Sequence, residues 1–151
     1  MKQEWAGYAP VVLRVVLAVT FLVHGLPKFT SAGHQMFQGM LTTIGVPAPE
    51  ALSWVGGVIE VGGALLLLAG AFTTVASAFL ALHMLVALVK VHLPNGYSFF
   101  HVTGMTESGP TFGVPGVEVP LWLIAMLVAL MLGGAGKLSV DQKRAAKGAA
   151  P

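Results

Sequence analysis

Long apolar stretches separated by short polar segments dominate the pattern of this chain. They cover about residues 8–26, 51–69, 74–93 and 119–132. Each is close to the ~20 residues with which an α-helix crosses the hydrocarbon core of a bilayer. The pattern therefore predicts an all-α fold: a single polytopic membrane domain over 1–151, built as a four-helix bundle and ending in a flexible basic tail from about residue 140.

Composition supports a membrane protein. Of the 151 residues, 56% are hydrophobic and 9% are charged, whereas soluble domains carry about 25% charged residues. The absence of cysteine excludes disulfides and thiolate sites. A net charge of +2 gives no indication of nucleic-acid binding.

Basic residues flank the apolar stretches unevenly. Lys2 precedes the first stretch, and four basic residues follow the last one: Lys137, Lys143, Arg144 and Lys147. Basic flanks favour the cytoplasmic side, so four spans predict an inner-membrane protein with both termini cytoplasmic. The loops at about 27–50 and 94–117 are then the outer ones. The flank of the first stretch also carries Glu4, and no small-residue cleavage site follows, which favours a span over a signal peptide.

The two halves of the chain resemble each other weakly. In each half, one apolar stretch ends in a motif that contains His and Pro: "VHGLPK" in the first half and "VKVHLPNG" in the second. In each half, the next apolar stretch opens with Glu, followed by Trp four residues later. Two parallel-repeat helical hairpins would produce this pattern. The ordinary preference of Pro, Trp and Glu for membrane interfaces would produce it too.

Two charges lie deep inside apolar stretches. Arg14 interrupts "VVLRVVLAV", and Glu60 lies between glycine pairs in "WVGGVIEVGGALLLLAG". Glycines let a second helix approach closely, so Glu60 is predicted to face another helix. A charge at the bilayer centre costs about 2.5–3.5 kcal/mol unless it is paired, protonated or hydrated. Counting helical rise predicts Arg14 and Glu60 within roughly 10 Å in depth, close enough to pair.

Further titratable residues extend this pair into a candidate site. Glu60 and His83 are the candidate catalytic residues because a carboxylate and an imidazole can relay protons. The candidate ligand-binding residues are the other polar side chains near the ends or cores of the helices: Arg14, His24, Lys28, Lys90, His92 and Glu118.

Structural interpretations of the same residues stay open. Arg14 and Glu60 can be an ion pair that fixes helix register, and lysines near helix ends can reach the headgroups. No metal site is predicted, since H-x-x-x-H and H-E-x-x-H spacings are absent. In the first outer loop, "GHQMFQGMLTTIG" has helical apolar spacing and predicts a short interfacial helix.

The order of several short motifs resembles the DoxX family of small four-helix membrane proteins. The resemblance runs from Arg14 to Asp141 and rests on "VHGLPK", "GVPAPE", "EVGGALLLLAGAFTT", Lys90 with His92, Glu118 and "GGAGKLSVD". Gly134-Ala135-Gly136 stands where the family usually has Gly-Pro-Gly.

The resemblance implies a role in membrane electron transfer or oxidative-stress defence, because relatives form part of thiosulfate:quinone oxidoreductases. It implies a quinone as cofactor, the bilayer and a redox protein as partners, and leaves a homo-oligomer open. No flavin, haem or metal motif and no nucleic-acid motif is recognised. Two hypotheses follow: a quinone-linked redox subunit, or a non-catalytic scaffold or small-molecule transporter. Enzymatic activity itself stays undecided between them.

Overall fold

The computed structural model describes residues 5–148, and most of them are helical. The α-helices are α1 Ala9–Gly25, α2 Ser31–Thr43, α3 Pro49–Ala69, α4 Thr73–Ala87, α5 Glu118–Gly133 and α6 Val140–Gly148. Short turns of other helical types extend two of them: a 3₁₀ turn, Leu26–Phe29, continues α1, and a π turn, Leu88–His92, with a 3₁₀ turn, Leu93–Asn95, continues α4.

Proline and glycine set several of these boundaries. Pro10 and Pro49 occupy the first turns of α1 and α3, where proline's missing N–H would have no intrahelical partner. Gly70 ends α3 with φ +61°, a left-handed conformation that glycine adopts without steric cost. The chain therefore reverses within three residues before α4 begins.

Three helical segments among the described residues are long and apolar enough to cross a membrane. They are Ala9–Phe29, Pro49–Ala69 and Thr73–Asn95, with 21, 21 and 23 residues. The fourth predicted span corresponds to α5, which is apolar but has 16 residues. A membrane protein with transmembrane helices is thus supported, while a bundle that crosses the bilayer four times stays a prediction.

The four apolar helices pack in a cycle of contacts. Helix α1 contacts α3 and α5, and α4 contacts the same two helices. Their shared core consists of Leu17, Ala18, Phe21, Ala64, Leu67, Ala76, Leu80, Leu123, Leu127 and Leu130. Large apolar side chains also point away from this core, among them Val19, Val58 and Phe79, each more than half exposed. An outer surface of this kind suits lipid rather than water.

The prediction of an all-α fold is corrected in the loop between α4 and α5. Val102–Thr106 and Gly109–Phe112 form an antiparallel two-stranded hairpin with a bulge between Val102 and Gly104. The two strands contain three Thr, one Val and one Phe, residue types that favour strands, and a two-residue turn connects them. The pattern of hydrophobic positions over a long window of sequence does not reveal strands of only four and five residues.

Residues 140–148, within the tail that is predicted to be flexible, form the helix α6, and the flexibility of the tail stays a prediction. The hydroxyl of Ser139 accepts a hydrogen bond from the N–H of Gln142 at 3.1 Å and caps this helix. The N–H of Asp141 also donates to the carbonyl of Gly70 at 2.9 Å. These contacts fix the start of the tail against the turn between α3 and α4. Residues 149–151 lie outside the described part of the chain.

The predicted repeat finds a partial parallel in the helix ends. Each half contains a 3₁₀ turn that begins one residue before a proline, at Leu26–Phe29 and at Leu93–Asn95. The connecting segments differ, since the first contains α2 and the second contains the hairpin. Duplication stays a hypothesis.

Candidate functional site

Glu60 is the centre of a buried polar cluster between three helical segments. Its side chain is 7% exposed, and each carboxylate oxygen has a basic partner. The Lys28 ammonium donates to Oε2, and Nε2 of His83 lies 2.9 Å from Oε1. We call Lys28, Glu60 and His83 the carboxylate cluster. It joins α3 to the end of α1 and to α4.

Glycines create the space for this cluster. A Cβ atom on Gly25 would lie 2.9 Å from the Cβ of Glu60, and one on Gly57 would lie 3.4 Å from the Cβ of Lys28. A Cβ on Gly56 would approach Cε1 of His83 to 3.4 Å. Larger side chains would therefore push α1 and α4 away from the acid. The close helical approach predicted from the glycine pairs is present at Gly56 and Gly57.

Helix α2 covers one side of the cluster. The ring of Phe37 lies under the Lys28 ammonium, 4.5 Å from Nζ to the ring centroid, and reaches to within 3.0 Å of the position for a Cβ on Gly56. His34 stacks on Trp54 at 4.0 Å and contacts the Ser53 hydroxyl through Nε2 at 3.1 Å. Phe37 and His34 thus anchor α2 over the site.

Sequence reasoning missed Phe37, His34 and Ser53 as site residues. Ser53 lies seven positions before Glu60, which places both on one face of α3. That spacing was visible in the sequence. Phe37 belongs to the apolar pattern that predicts α2, but only the packing of α2 on α3 brings its ring to Lys28.

The predicted pairing of Arg14 with Glu60 is wrong. Arg14 is 2% exposed, and its Nη2 donates to the carbonyls of Leu138 at 3.1 Å and Lys137 at 3.3 Å. Arg14 lies eleven positions before Gly25, the α1 residue that packs on Glu60. At 1.5 Å per residue this is about 16 Å along the helix. Arg14 reaches the end of the bundle at Gly70, whereas Glu60 lies near the middle of α3, because α1 and α3 are offset along their axes.

The remaining predicted residues do not join the cluster. His24 is exposed, although its backbone carbonyl accepts from Lys28 Nζ at 3.0 Å. Lys90 is exposed in the π turn. Nδ1 of His92 donates to the carbonyl of Pro115 at 2.8 Å, and Oε2 of Glu118 accepts from the N–H of Phe99 at 2.8 Å. His92 and Glu118 therefore hold the loop between α4 and α5 in place.

Metal coordination has no candidate within residues 5–148, where no group of three His, Cys, Asp or Glu side chains could hold an ion. What the carboxylate cluster offers is an acid, an imidazole and an ammonium next to aromatic rings. Such a set can donate hydrogen bonds to an oxygen-bearing ligand and exchange a proton with it.

Comparison with known proteins gives the family. The family profile described as DoxX matches residues 9–93, which include the whole carboxylate cluster. The chain belongs to the DoxX family. Glu60, Lys28 and His83 all lie inside the part of the chain that carries the family signature.

Two relatives extend the similarity beyond that segment. An uncharacterized protein of Haemophilus influenzae is 30% identical over 142 residues, covering 93% of this chain and 94% of the relative. An uncharacterized membrane protein of Mycobacterium tuberculosis is 28% identical over 136 residues, covering 87% and 78%. No solved structure matches the chain.

Proposed function

We propose that this DoxX-family membrane protein is a quinone-linked redox subunit and that the quinone ring binds at the carboxylate cluster. One observation carries the proposal: a buried carboxylate lies between an ammonium and an imidazole, inside apolar helices, at 7% side-chain exposure. An intramembrane acid with named partners is a functional candidate by default.

The residues of the cluster fit the demands of quinone chemistry. The quinone would supply the electron-accepting group. The Lys28 ammonium and the His83 imidazole are donors for carbonyl oxygens, and Glu60 can hold the proton that accompanies an electron. Electrons would come from a redox partner protein, the class of partner that the family resemblance implies.

Aromatic side chains surround Lys28. The Phe37 ring lies against both the Lys28 ammonium and Gly56, and the aromatic side chains of Phe29 and Trp54 are neighbours at 5.9 Å between centroids. Aromatic rings beside a cation are side chains of the kind that bind an aromatic or quinonoid head group. The apolar outer surface of the helices would contact an isoprenoid tail.

The test is the affinity for a short-chain quinone of the full-length protein in detergent. Trp54 serves as the fluorescence reporter in a Trp5→Phe, Trp122→Phe background, since it stacks on His34 beside the site. Glu60→Gln should weaken binding at least about tenfold, equivalent to ~1.4 kcal/mol. The matched control is Glu50→Gln, which neutralises an exposed acid on the same helix. Unchanged binding by folded Glu60→Gln protein would exclude the site.

A non-catalytic scaffold is the second candidate, and one observation favours it. Both oxygens of Glu60 already have partners, so the cluster is complete as a device that joins three helices. A scaffold predicts that Glu60→Gln lowers thermal stability while gently purified protein carries no quinone. Quinone detected in the extract of wild-type protein, and reduced in that of the variant, would favour the redox subunit.

We further propose four membrane crossings in the inner membrane with both termini cytoplasmic, on the basis of the basic residues that follow α5. The chain has no cysteine, so single engineered cysteines report cleanly. Cysteines at Ser31 and Ser108 should react with an impermeant thiol reagent in intact cells, and one at Ala146 should not. The opposite labelling pattern would reverse the orientation.

A further inference from the structure

Helix α6 is fixed at the end of the molecule where α3 and α4 meet. The Asp141 carboxylate accepts hydrogen bonds from the N–H groups of Phe72 and Thr73, both at 2.8 Å. Two candidate membrane spans end and begin at this turn, Pro49–Ala69 and Thr73–Asn95. Because α6 is bound to the turn, it lies at the level where a span emerges from the bilayer.

The two sides of α6 differ in charge. Asp141, Gln142 and Ala145 line a cleft of about 460 Å³ between the helix and the rest of the protein. Lys143, Arg144 and Lys147 occupy the other side at positions i, i+1 and i+4, and all three are exposed. We call these three residues the basic face. The acid of this helix is engaged in capping, so the outward charge is positive.

Two strained apolar residues lie near the start of α6: Phe72 in the turn that Asp141 caps, and Leu138 directly before the capping Ser139. Phe72 has φ +49° and is 55% exposed, and Leu138 has φ +53° and is 71% exposed. Left-handed backbone is unfavourable for residues with a bulky side chain, and Gly or Asn would ordinarily occupy such positions. The Arg144 guanidinium lies over the Phe72 ring, 4.8 Å from its centroid. The chain thus keeps large apolar groups exposed where backbone preference opposes them.

From this combination we infer that the basic face, together with Phe72 and Leu138, is a docking surface for anionic phospholipid. The lysines and arginine would contact the negatively charged headgroups, and the two apolar side chains would enter the boundary between headgroups and acyl chains. The surface continues the lipid-facing exterior of α3 and α4, which argues for lipid over a soluble partner. This inference does not depend on the quinone proposal.

The experiment measures lipid binding to the full-length protein in a mild detergent. Soluble short-chain phosphatidylglycerol and phosphatidylcholine are titrated separately, and binding is followed by the shift in thermal unfolding and by native mass spectrometry. Wild-type protein should bind phosphatidylglycerol, the anionic lipid, at least about tenfold more tightly than phosphatidylcholine. The variant Lys143→Gln, Arg144→Gln, Lys147→Gln should bind both lipids about equally. The matched control for the loss of one exposed charge is Lys90→Gln, which is compared with Arg144→Gln alone. The Lys90→Gln variant should retain the preference for phosphatidylglycerol over phosphatidylcholine.

A second pair of variants separates lipid contact from folding. Phe72→Asn and Leu138→Asn suit the left-handed backbone, so they should leave unfolding in detergent unchanged or raise its temperature. Both should nevertheless weaken phosphatidylglycerol binding several-fold. Equal affinities of wild-type protein for the two lipids would overturn the inference, as would a triple variant that behaves like wild type. Competition by soluble polyglutamate as effective as by the lipid would also overturn it, because the surface would then bind any polyanion.

Discussion

Glu60 and Arg14 are both buried charges, but the protein holds them in different ways. Glu60 is bound by the side chains of Lys28 and His83, which come from two other helical segments. Arg14 donates to two backbone carbonyls in the segment between α5 and α6. Its Nε and Nη1 atoms make no hydrogen bond within the described residues 5–148. Glu60 meets an ammonium and an imidazole, and Arg14 meets peptide dipoles.

The difference in partners suits Glu60 to a chemical role and Arg14 to a structural one. The partners of Glu60 are titratable and partly accessible, with side-chain exposures of 12% for Lys28 and 19% for His83. They can change protonation or release the acid to a ligand. Backbone carbonyls can do neither. Arg14 therefore ties the chain between α5 and α6 to α1, a contact that we call the arginine clasp.

The largest expected effect comes from breaking the arginine clasp. Arg14→Ala removes two charge-assisted hydrogen bonds and leaves a cavity beside the carbonyls of Lys137 and Leu138. The free energy of unfolding should therefore fall by about 3–5 kcal/mol. Denaturant unfolding of purified protein measures this change. The control Val15→Ala truncates an adjacent exposed side chain and should cost under about 1 kcal/mol. Similar costs for the two variants would show that the clasp does not stabilise the fold.

Double-mutant cycles test whether the two regions are independent. Lys28→Met combined with Glu60→Gln should show an interaction energy of at least about 1 kcal/mol, since the side chains touch. Arg14→Met combined with Glu60→Gln should be additive within about 0.5 kcal/mol, because the sites are far apart. A strong interaction in the second cycle would restore the pairing that the sequence suggested and contradict the comparison.

The smallest expected effect concerns Asp141 beside the arginine clasp. Burial opposes ionisation of Asp141, but hydrogen bonds from the backbone of Thr73 and Phe72 outweigh it and lower its pKa. The ionised Asp141 carboxylate stabilises the folded protein fully at pH values above the ordinary Asp pKa of about 3.9. This stabilisation is lost as the pH falls through the lowered pKa of Asp141. Asp141→Asn should cost about 1 kcal/mol at pH 7 and remove this acid-dependent loss.

Thermal unfolding between pH 7 and pH 3 checks the Asp141 prediction. Glu107→Gln, at an exposed acid in the hairpin turn, is the control and should keep the pH profile of wild type. Parallel profiles for wild type and Asp141→Asn would mean that the cap contributes nothing to stability.

The sequence predicted the identity of the important charges better than their partners. Burial of Arg14 and Glu60 follows from apolar neighbours, and both are buried. His83 was correctly grouped with Glu60, since both lie near the middle of their spans. The sequence places Lys28 among the candidate ligand-binding residues and does not predict its contact with Glu60, because that contact depends on the axial offset of α1 against α3. Counting residues along two helices predicts which side chains lie at the same depth in the bundle only when the ends of the helices are level.

Local patterns by themselves determined the apolar helices, the buried charges, the glycine-lined approach to Glu60 and the family. Each depends on residues close together in the chain, where periodicity and side-chain size decide the outcome. Only the tertiary structure decided that Lys28 binds Glu60, that Arg14 binds the segment before α6, and that Asp141 caps α4. These contacts join residues 32, 124 and 68 positions apart. Helix offset and tail docking set them, and both are results of packing across the whole bundle.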